Sequence, residues 1–263
     1  MRPPWECWRE ELDDLRMRLN AYLASCGAAS RRKADELIRT GRVQVNGKII
    51  LAPFFSVGAE DEVLCDGRKL EPSKRVYLVM NKPVGVVCAV SDKYDPVVVD
   101  LLPEEIRALR VYPAGRLDRE SEGLLILTND GAFAQNILHP SKGIHKEYEA
   151  LLNIEINERQ LERWRAGFDF ELEEGGHPGE SRHVAPLSLS VLDREPKNRW
   201  VSIVIGEGLK REVRVMANQA GFSVQRLIRR RIGNLVLTKL RSGEFRDLSF
   251  SELSTKIVNG GEV

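Results

Sequence analysis

The apolar positions of this chain change period several times, and each change marks an element. Leu19, Tyr22, Leu23 and Cys26 fall at helical spacing, and Gly27 ends that run. Ser30 is a good N-cap for a second helix over Arg31 to Arg39, which Gly41 closes. Period two then takes over. Val43-Gln44-Val45-Asn46-Gly47-Lys48-Ile49-Ile50 is a hairpin with Asn-Gly at its turn, and Val63 to Leu70 carries a second turn at Asp66-Gly67. Glu71-Pro72-Ser73-Lys74 reads as a linker. Val76 to Met80 is an apolar run of the kind a buried strand needs, with Pro83 and Gly85 after it. Val97 to Leu102 and Glu104 to Leu109 form a loop and a short helix.

Leu124-Leu125-Ile126-Leu127 is another buried strand, set between Gly123 and Asn129-Asp130-Gly131. Ala132 to Leu138 is a short helix stopped by His139-Pro140, and Lys146 to Leu151 alternates like a strand. Asn157 to Trp164 reads as a helix, Phe168 to Val184 as a turn-rich insertion, and Leu187 to Leu192 and Trp200 to Ile205 as strands. Val213, Met216, Ala217 and Ala220 share one face of a helix that Gly221 ends. Leu227 to Ile232 is a basic strand, Leu235 to Leu237 and Gly243 to Leu248 close the domain, and the tail from Thr255 reads as loose. This divides the chain into an extension (1–16), a small domain (17–74), a larger one (75–254) and a tail (255–263).

Composition adds limits. The chain has 263 residues, enough for one large domain and a small one, and 42% hydrophobic residues can fill a sizeable core. No apolar run approaches the ~18 residues of a membrane helix, and the N-terminus has no signal-peptide core, so the reading is cytosolic with no membrane partner. Cys7, Cys26, Cys65 and Cys88 are scattered without C-x-x-C and read as reduced thiols. They and the four His residues lack zinc spacing. Residues 1–16 are acidic. Met17 is a candidate natural start, and a short helical or disordered extension is the alternative. Net charge is only +1, but the basic residues cluster. Arg31, Arg32 and Lys33 occupy the first turn of their helix, the wrong end for cations, which suggests another use.

The segment between Val111-Tyr112 and Leu124 holds Arg116, Asp118, Arg119, Glu120 and Glu122, a charged loop at the edge of a core. By pattern alone an Asp between two Arg residues is an ordinary solvated ion pair. Gly206-x-Gly208 before a basic helix is weak evidence for a phosphate loop, because no Lys-Ser/Thr pair follows.

Longer motifs say more. Gly115-Arg116-Leu117-Asp118, Ser121-Glu122-Gly123-Leu124-Leu125 and Thr128-Asn129-Asp130-Gly131 resemble the signature of the RsuA/RluB/RluE/RluF family of ribosomal RNA pseudouridine synthases. Asn81-Lys82-Pro83-x-Gly85-Val86, Lys146-x-Tyr148 and Gly206 to Met216 match the same family, in its order. Residues 17 to about 70 resemble the alpha-L RNA-binding domain of the ribosomal protein S-four type, through Leu19-Asn20-x-Tyr22-Leu23-Ala24, Ser30 to Ile38 and Gly41 to Gly47. The resemblance implies an α+β protein, with that small domain ahead of a mixed, mostly antiparallel sheet flanked by helices.

The resemblance also implies roles. Asp118 is the catalytic carboxylate, Arg214 its partner, and Tyr148 packs on the target base. Lys82 packs beneath the site. Arg31, Arg32, Lys33, Arg42 and Lys48 contact phosphates. From the residues themselves, Arg116 is a candidate for contacting RNA or filling the space the flipped base vacates. The basic strand with Arg229 and Arg230 reads as an exposed charged edge or, with Lys210, Arg211 and Arg226 nearby, as a phosphate-binding wall. Val215 stands where close relatives commonly have Arg. The implied reaction turns uridine into pseudouridine without cofactor or metal, and the implied partner is ribosomal RNA or a precursor particle bound by a monomer. The RluB likeness points to the large subunit. A small-subunit target, a non-catalytic ribosome-assembly factor, and a glycoside hydrolase pairing Asp118 with Glu120 or Glu122 are the alternatives.

Overall fold

The structure, a computed structural model, describes residues 16–171 and 181–258. The expectations for the N-terminal extension and for the middle of the insertion lie outside the described residues. β1 (Met17–Arg18) leads into α1 (Leu19–Ser25) and α2 (Arg31–Arg39), whose Ser30 hydroxyl accepts the Lys33 N–H at 3.3 Å. Next come β2 (Val43–Val45), β3 (Lys48–Ile49), β4 (Ser56–Val57), β5 (Val63–Cys65) and β6 (Arg68–Lys69). β4 pairs with β1, and the other four form a small sheet in the order β3-β2-β5-β6. Asn46-Gly47 and Asp66-Gly67 take positive φ at the two hairpin turns, the left-handed conformation such turns demand. Leu19, Leu23, Ala34, Ile38, Val43 and Val63 make the small core.

The linker is docked rather than free. The Ser73 N–H donates to the Ser25 carbonyl at 3.0 Å, and Asn129 clasps the chain at Lys74 O (2.9 Å) and Val76 N (2.9 Å). Arg110 Nη1 crosses between the domains to the Gly27 carbonyl at 2.7 Å.

The larger domain runs β7 (Tyr77–Lys82), a 3-10 turn (Val98–Leu101), α3 (Glu104–Ala108), β8 (Tyr112–Ala114) and β9 (Ser121–Thr128). It continues through α4 (Gly131–Leu138), β10 (Lys146–Leu152), α5 (Glu158–Arg165), β11 (Phe168–Glu171), β12 (Ser181–Val184), β13 (Ser188–Val191) and β14 (Trp200–Ile205). α6 (Glu212–Ala220), β15 (Val224–Ile232), β16 (Leu235–Val236), β17 (Phe245–Asp247) and α7 (Phe250–Val258) complete it. A nine-stranded sheet has the path β13-β14-β10-β15-β9-β7-β17, with β16 added on β15 and β8 on β9. Every pair is antiparallel except β9 with β15.

That parallel junction depends on Gly123. Its φ is +108°, and a Cβ there would run into the Arg229 carbonyl oxygen and stand 2.7 Å from the Arg229 nitrogen. Period two then assigns the faces. On one face α5 and α6 cover β10, β14 and β15, with Trp164 stacked on Phe222 at 6.0 Å. On the other, α4 and α7 bury Phe133, Leu253 and Ile257.

Two expectations are corrected. The insertion carries strands, since β11 and β12 pair antiparallel from Phe168↔Val184 to Glu171↔Ser181. The chain from Thr255 is not loose up to Val258, because α7 runs through it and places Leu253 and Ile257, one turn apart, in the core. The boundary at 254 therefore falls inside a helix.

Candidate active site

One row of cross-strand neighbours passes under the functional residues. Lys82 faces Gly123, Gly123 faces Arg229, Arg229 faces Tyr148, and Tyr148 faces Ile203. Above this row is a cleft lined by Arg116, Asp118, Ser121, Tyr148, Lys210, Arg211 and Arg229, among others. Its wall is the 115–120 loop between β8 and β9.

That loop is pinned along its length. Leu117 is buried, and its N–H points at Cys88 Sγ, 3.3 Å away. The Arg116 carbonyl accepts from Arg229 Nη1 at 3.2 Å, and the Arg119 carbonyl accepts from Gly85 N at 2.8 Å. Lys82 is fully buried, and its ammonium donates to Ser121 O at 2.7 Å and Pro83 O at 2.9 Å. Burial pulls the Lys82 ammonium below its ordinary pKa, and Cys88 and Asp118 push back. A carboxylate on a loop held this way is pre-organised.

Asp118 Oδ2 lies 3.7 Å from Arg211 Nη1 and 3.9 Å from Arg214 Nε, with its side chain 34% exposed toward the cleft. Arg214 is nearly buried. Its other nitrogens donate to Val224 O (2.9 Å), Glu120 O (3.3 Å) and Ser121 Oγ (3.4 Å), which leaves buried Nε without a hydrogen-bond partner. Burial and nearby Arg211 lower the Arg214 pKa, while Asp118 and Glu120 raise it. The expected Asp118–Arg214 contact is thus a charge contact at its outer limit. Arg211, expected on RNA, is closer to the carboxylate and also reaches Glu120 Oε2 at 3.4 Å.

The cleft's far wall is the 206–211 turn. Glu212 Oε2 accepts the N–H groups of Gly208 and Leu209, each at 2.8 Å, and Lys146 Nζ holds the Glu207 carbonyl at 2.7 Å. Sequence reasoning missed both braces. Lys146 was within reach of it, two residues before Tyr148 and so on the same strand face. Tyr148 is buried except at the cleft, and Val215 packs against the α6 core.

Among the residues expected to meet RNA, Arg31, Arg32, Lys33 and Lys48 are exposed on the small domain, and Arg116 and Lys210 are exposed at the cleft's lip. Three others are already engaged within the protein. Arg229 is buried, with Nε on Leu124 O at 2.7 Å and Nη1 on Arg116 O at 3.2 Å, so these two nitrogens hold backbone. Arg230 is paired with Glu149 at 3.0 Å. Arg42 forms a two-pronged pair with Asp66, at 2.7 and 2.5 Å, that clips the two hairpins together. The glycosidase pairing loses Glu122, which lies on the opposite face of β9 and is forked to Arg226. Among the described residues, no cluster of three His, Cys, Asp or Glu side chains could hold a metal ion, and no helix is long and apolar enough to cross a membrane.

Comparison with known proteins decides what this cleft belongs to. Residues 76–219 match the family model for RNA pseudouridylate synthase, and residues 17–63 match the model for the S4 domain. The chain belongs to the RNA pseudouridylate synthase family. The synthase is 37% identical over 242 residues to an uncharacterised RNA pseudouridine synthase of Aquifex aeolicus, covering 91% of this chain and 93% of the relative. It is also 37% identical to the ribosomal large subunit pseudouridine synthase B of Bacillus subtilis, over 90% of this chain and 93% of that one. A crystal structure of a pseudouridylate synthase superposes with a TM-score of 0.63 and 29% identity, across 92% of this chain and all of the other. The synthase therefore isomerises uridine in RNA, and its α+β fold, with the small RNA-binding domain first, is that of its relatives.

Proposed function

We propose that this synthase isomerises a specific uridine in large-subunit ribosomal RNA, and that Asp118 is the carboxylate that acts on the sugar. The observation that carries the reading is Asp118 itself, fixed on a pinned loop at a cleft, with the Arg211 and Arg214 guanidinium groups within 4 Å. The target class is supported by the similarity to the Bacillus subtilis large-subunit enzyme.

The reaction breaks the bond between C1′ and N1, turns the base, joins C1′ to C5, and leaves the C5 proton on N1. Atoms balance with no redox change, so the chemistry calls for no cofactor. Whether the carboxylate attacks the sugar or removes a sugar proton, it must be ionised and aimed. Arg214 supplies the aim. Its unpartnered Nε faces Oδ2, and such contacts tighten when substrate closes the site. A stacked uridine cannot reach Asp118, so it flips out, at a cost of a few kcal/mol. Tyr148, on the cleft floor, then supports the detached base. Arg116 and Lys210 meet RNA at the lip, and Arg31, Arg32, Lys33 and Lys48 hold phosphates further away.

The test is carbodiimide mapping of unmodified ribosomal RNA after incubation with wild-type or Asp118→Asn protein. A new stop on large-subunit RNA with wild type alone is the expected result. Asp118→Asn should bind RNA as wild type does, and Arg214→Ala should lose about 100-fold in rate or more. A stop produced by Asp118→Asn refutes the catalytic assignment, and a stop only on small-subunit RNA refutes the target.

A further inference from the structure

The chain between β7 and the 3-10 turn at Val98 forms a closed loop joined through Arg119 to the loop that carries Asp118. Its neck is tied at Val87, whose N–H donates to Pro96 O at 2.9 Å and whose carbonyl accepts from Val98 N at 3.0 Å. Its tip is shaped by Asp92, whose Oδ1 accepts the N–H groups of Tyr94 (2.9 Å) and Asp95 (3.0 Å). The loop is also fastened to the catalytic one. Asp95 pairs with Arg119 at 3.0 Å, and Arg119, the residue after Asp118, exchanges backbone and side-chain contacts with Gly85.

This tip presents Tyr94 to solvent at 83%, the highest exposure of any large apolar side chain among the described residues. Val84 and Val90 are exposed on the same loop. The Lys93 ammonium lies 5.2 Å from the Tyr94 ring centroid. An aromatic ring left in water gains nothing for the fold. The backbone beneath it is nevertheless held by a specific turn, and that turn is coupled through Arg119 to the catalytic carboxylate.

We propose that Tyr94 is a stacking platform for a nucleobase of the RNA flanking the flipped uridine, with Lys93 facing the adjoining phosphate. The inference rests on the RNA reading of the cleft. Flipping a uridine deprives its neighbours of a stacking partner, and an aromatic face on the loop fastened to that of Asp118 would replace it. A ring on a shaped loop loses little freedom in doing so, and stacking accepts any base while fixing its position relative to Asp118.

The test uses the full chain and a stem-loop RNA carrying the unmodified target uridine, with 2-aminopurine at the adjacent nucleotide. Wild type should quench the 2-aminopurine on binding, Tyr94→Ala should not, and Tyr94→Phe should restore quenching. Tyr94→Ala should raise KM about tenfold with kcat within a few-fold of wild type. The loop's shape comes from Asp92, so the alanine variant keeps its fold, which circular dichroism checks. Unchanged quenching and KM in Tyr94→Ala overturn the proposal and leave the loop to a protein partner. Loss of kcat alone also overturns it, because the loop would then act on catalytic geometry and not on RNA. If wild type modifies no RNA, the cleft reading has failed, a result distinct from either.

Discussion

Lys82 shows how much of this site is built from a single buried side chain. Its ammonium bridges the end of β7 to the start of β9, through the Pro83 and Ser121 carbonyls. Lys82→Met keeps the apolar stem and removes the donors. Each stranded carbonyl costs roughly 1–3 kcal/mol, but relief from burying a charge offsets much of that. The expected outcome is a thermal midpoint close to wild type with a rate reduced by about 100-fold, because the Asp118 loop loses its anchor. The pH dependence has a definite sign. With the native pKa depressed below the ordinary 10.5, the unfolded chain binds more protons between the two values, so wild-type stability gains a rising contribution as pH climbs through that window. Denaturant titrations at several alkaline pH values should show this contribution in wild type and its absence in Lys82→Met. Parallel curves for the two proteins would mean that the ammonium is not the buried cation described.

At the scale of elements, α6 begins without a conventional cap. Arg211 at its N-cap takes the left-handed conformation and makes no side-chain cap, so Glu212 turns back and accepts the Gly208 and Leu209 N–H groups instead. Burial raises the Glu212 pKa, and those two hydrogen bonds oppose the shift. A glutamine carbonyl accepts the same two N–H groups without burying a charge. Glu212→Gln should therefore keep its rate within about threefold, while Glu212→Ala should lose tenfold or more as Arg211 and Lys210 lose their positions. Single-turnover rates decide, and equal losses in both variants would show that the charge, not the brace, matters.

The same elements show what the sequence could reveal. The small domain was legible because Asn46-Gly47 and Asp66-Gly67 are locally determined turns and Ser30 is a local cap. α7 escaped notice although Ser249 caps it through the Glu252 N–H at 3.1 Å, a Ser-x-x-Glu signal present in the chain. Arg229 escaped because three consecutive arginines erase the alternation that separates the faces of a strand. A register shift opposite Glu147 and Tyr148 then makes simple counting fail there. Asp118 was singled out only by resemblance, since an Asp flanked by arginines is common and its loop owes its rigidity to Lys82, Gly85 and Arg229, distant in sequence.

For the whole molecule, a net charge of +1 means that RNA is drawn by local patches and not by the overall field. Arg31, Arg32 and Lys33 form one such patch on the first turn of α2, a domain away from Asp118, and Lys33 pairs with Glu36 at 2.9 Å. Phosphate contacts position RNA and release counterions, so their number is read from the salt dependence of affinity. Replacing all three by alanine should flatten the slope of log affinity against log salt by about 2, at roughly 0.7 per lost contact with single-stranded RNA. KM should rise by a similar factor to the loss of affinity, while kcat on saturating RNA stays at the wild-type value, because the Asp118 cleft is untouched. If kcat falls with KM unchanged, the small domain must orient the catalytic cleft instead of tethering RNA. The Arg110 bridge to Gly27 and the docked linker would then be the route by which it does so.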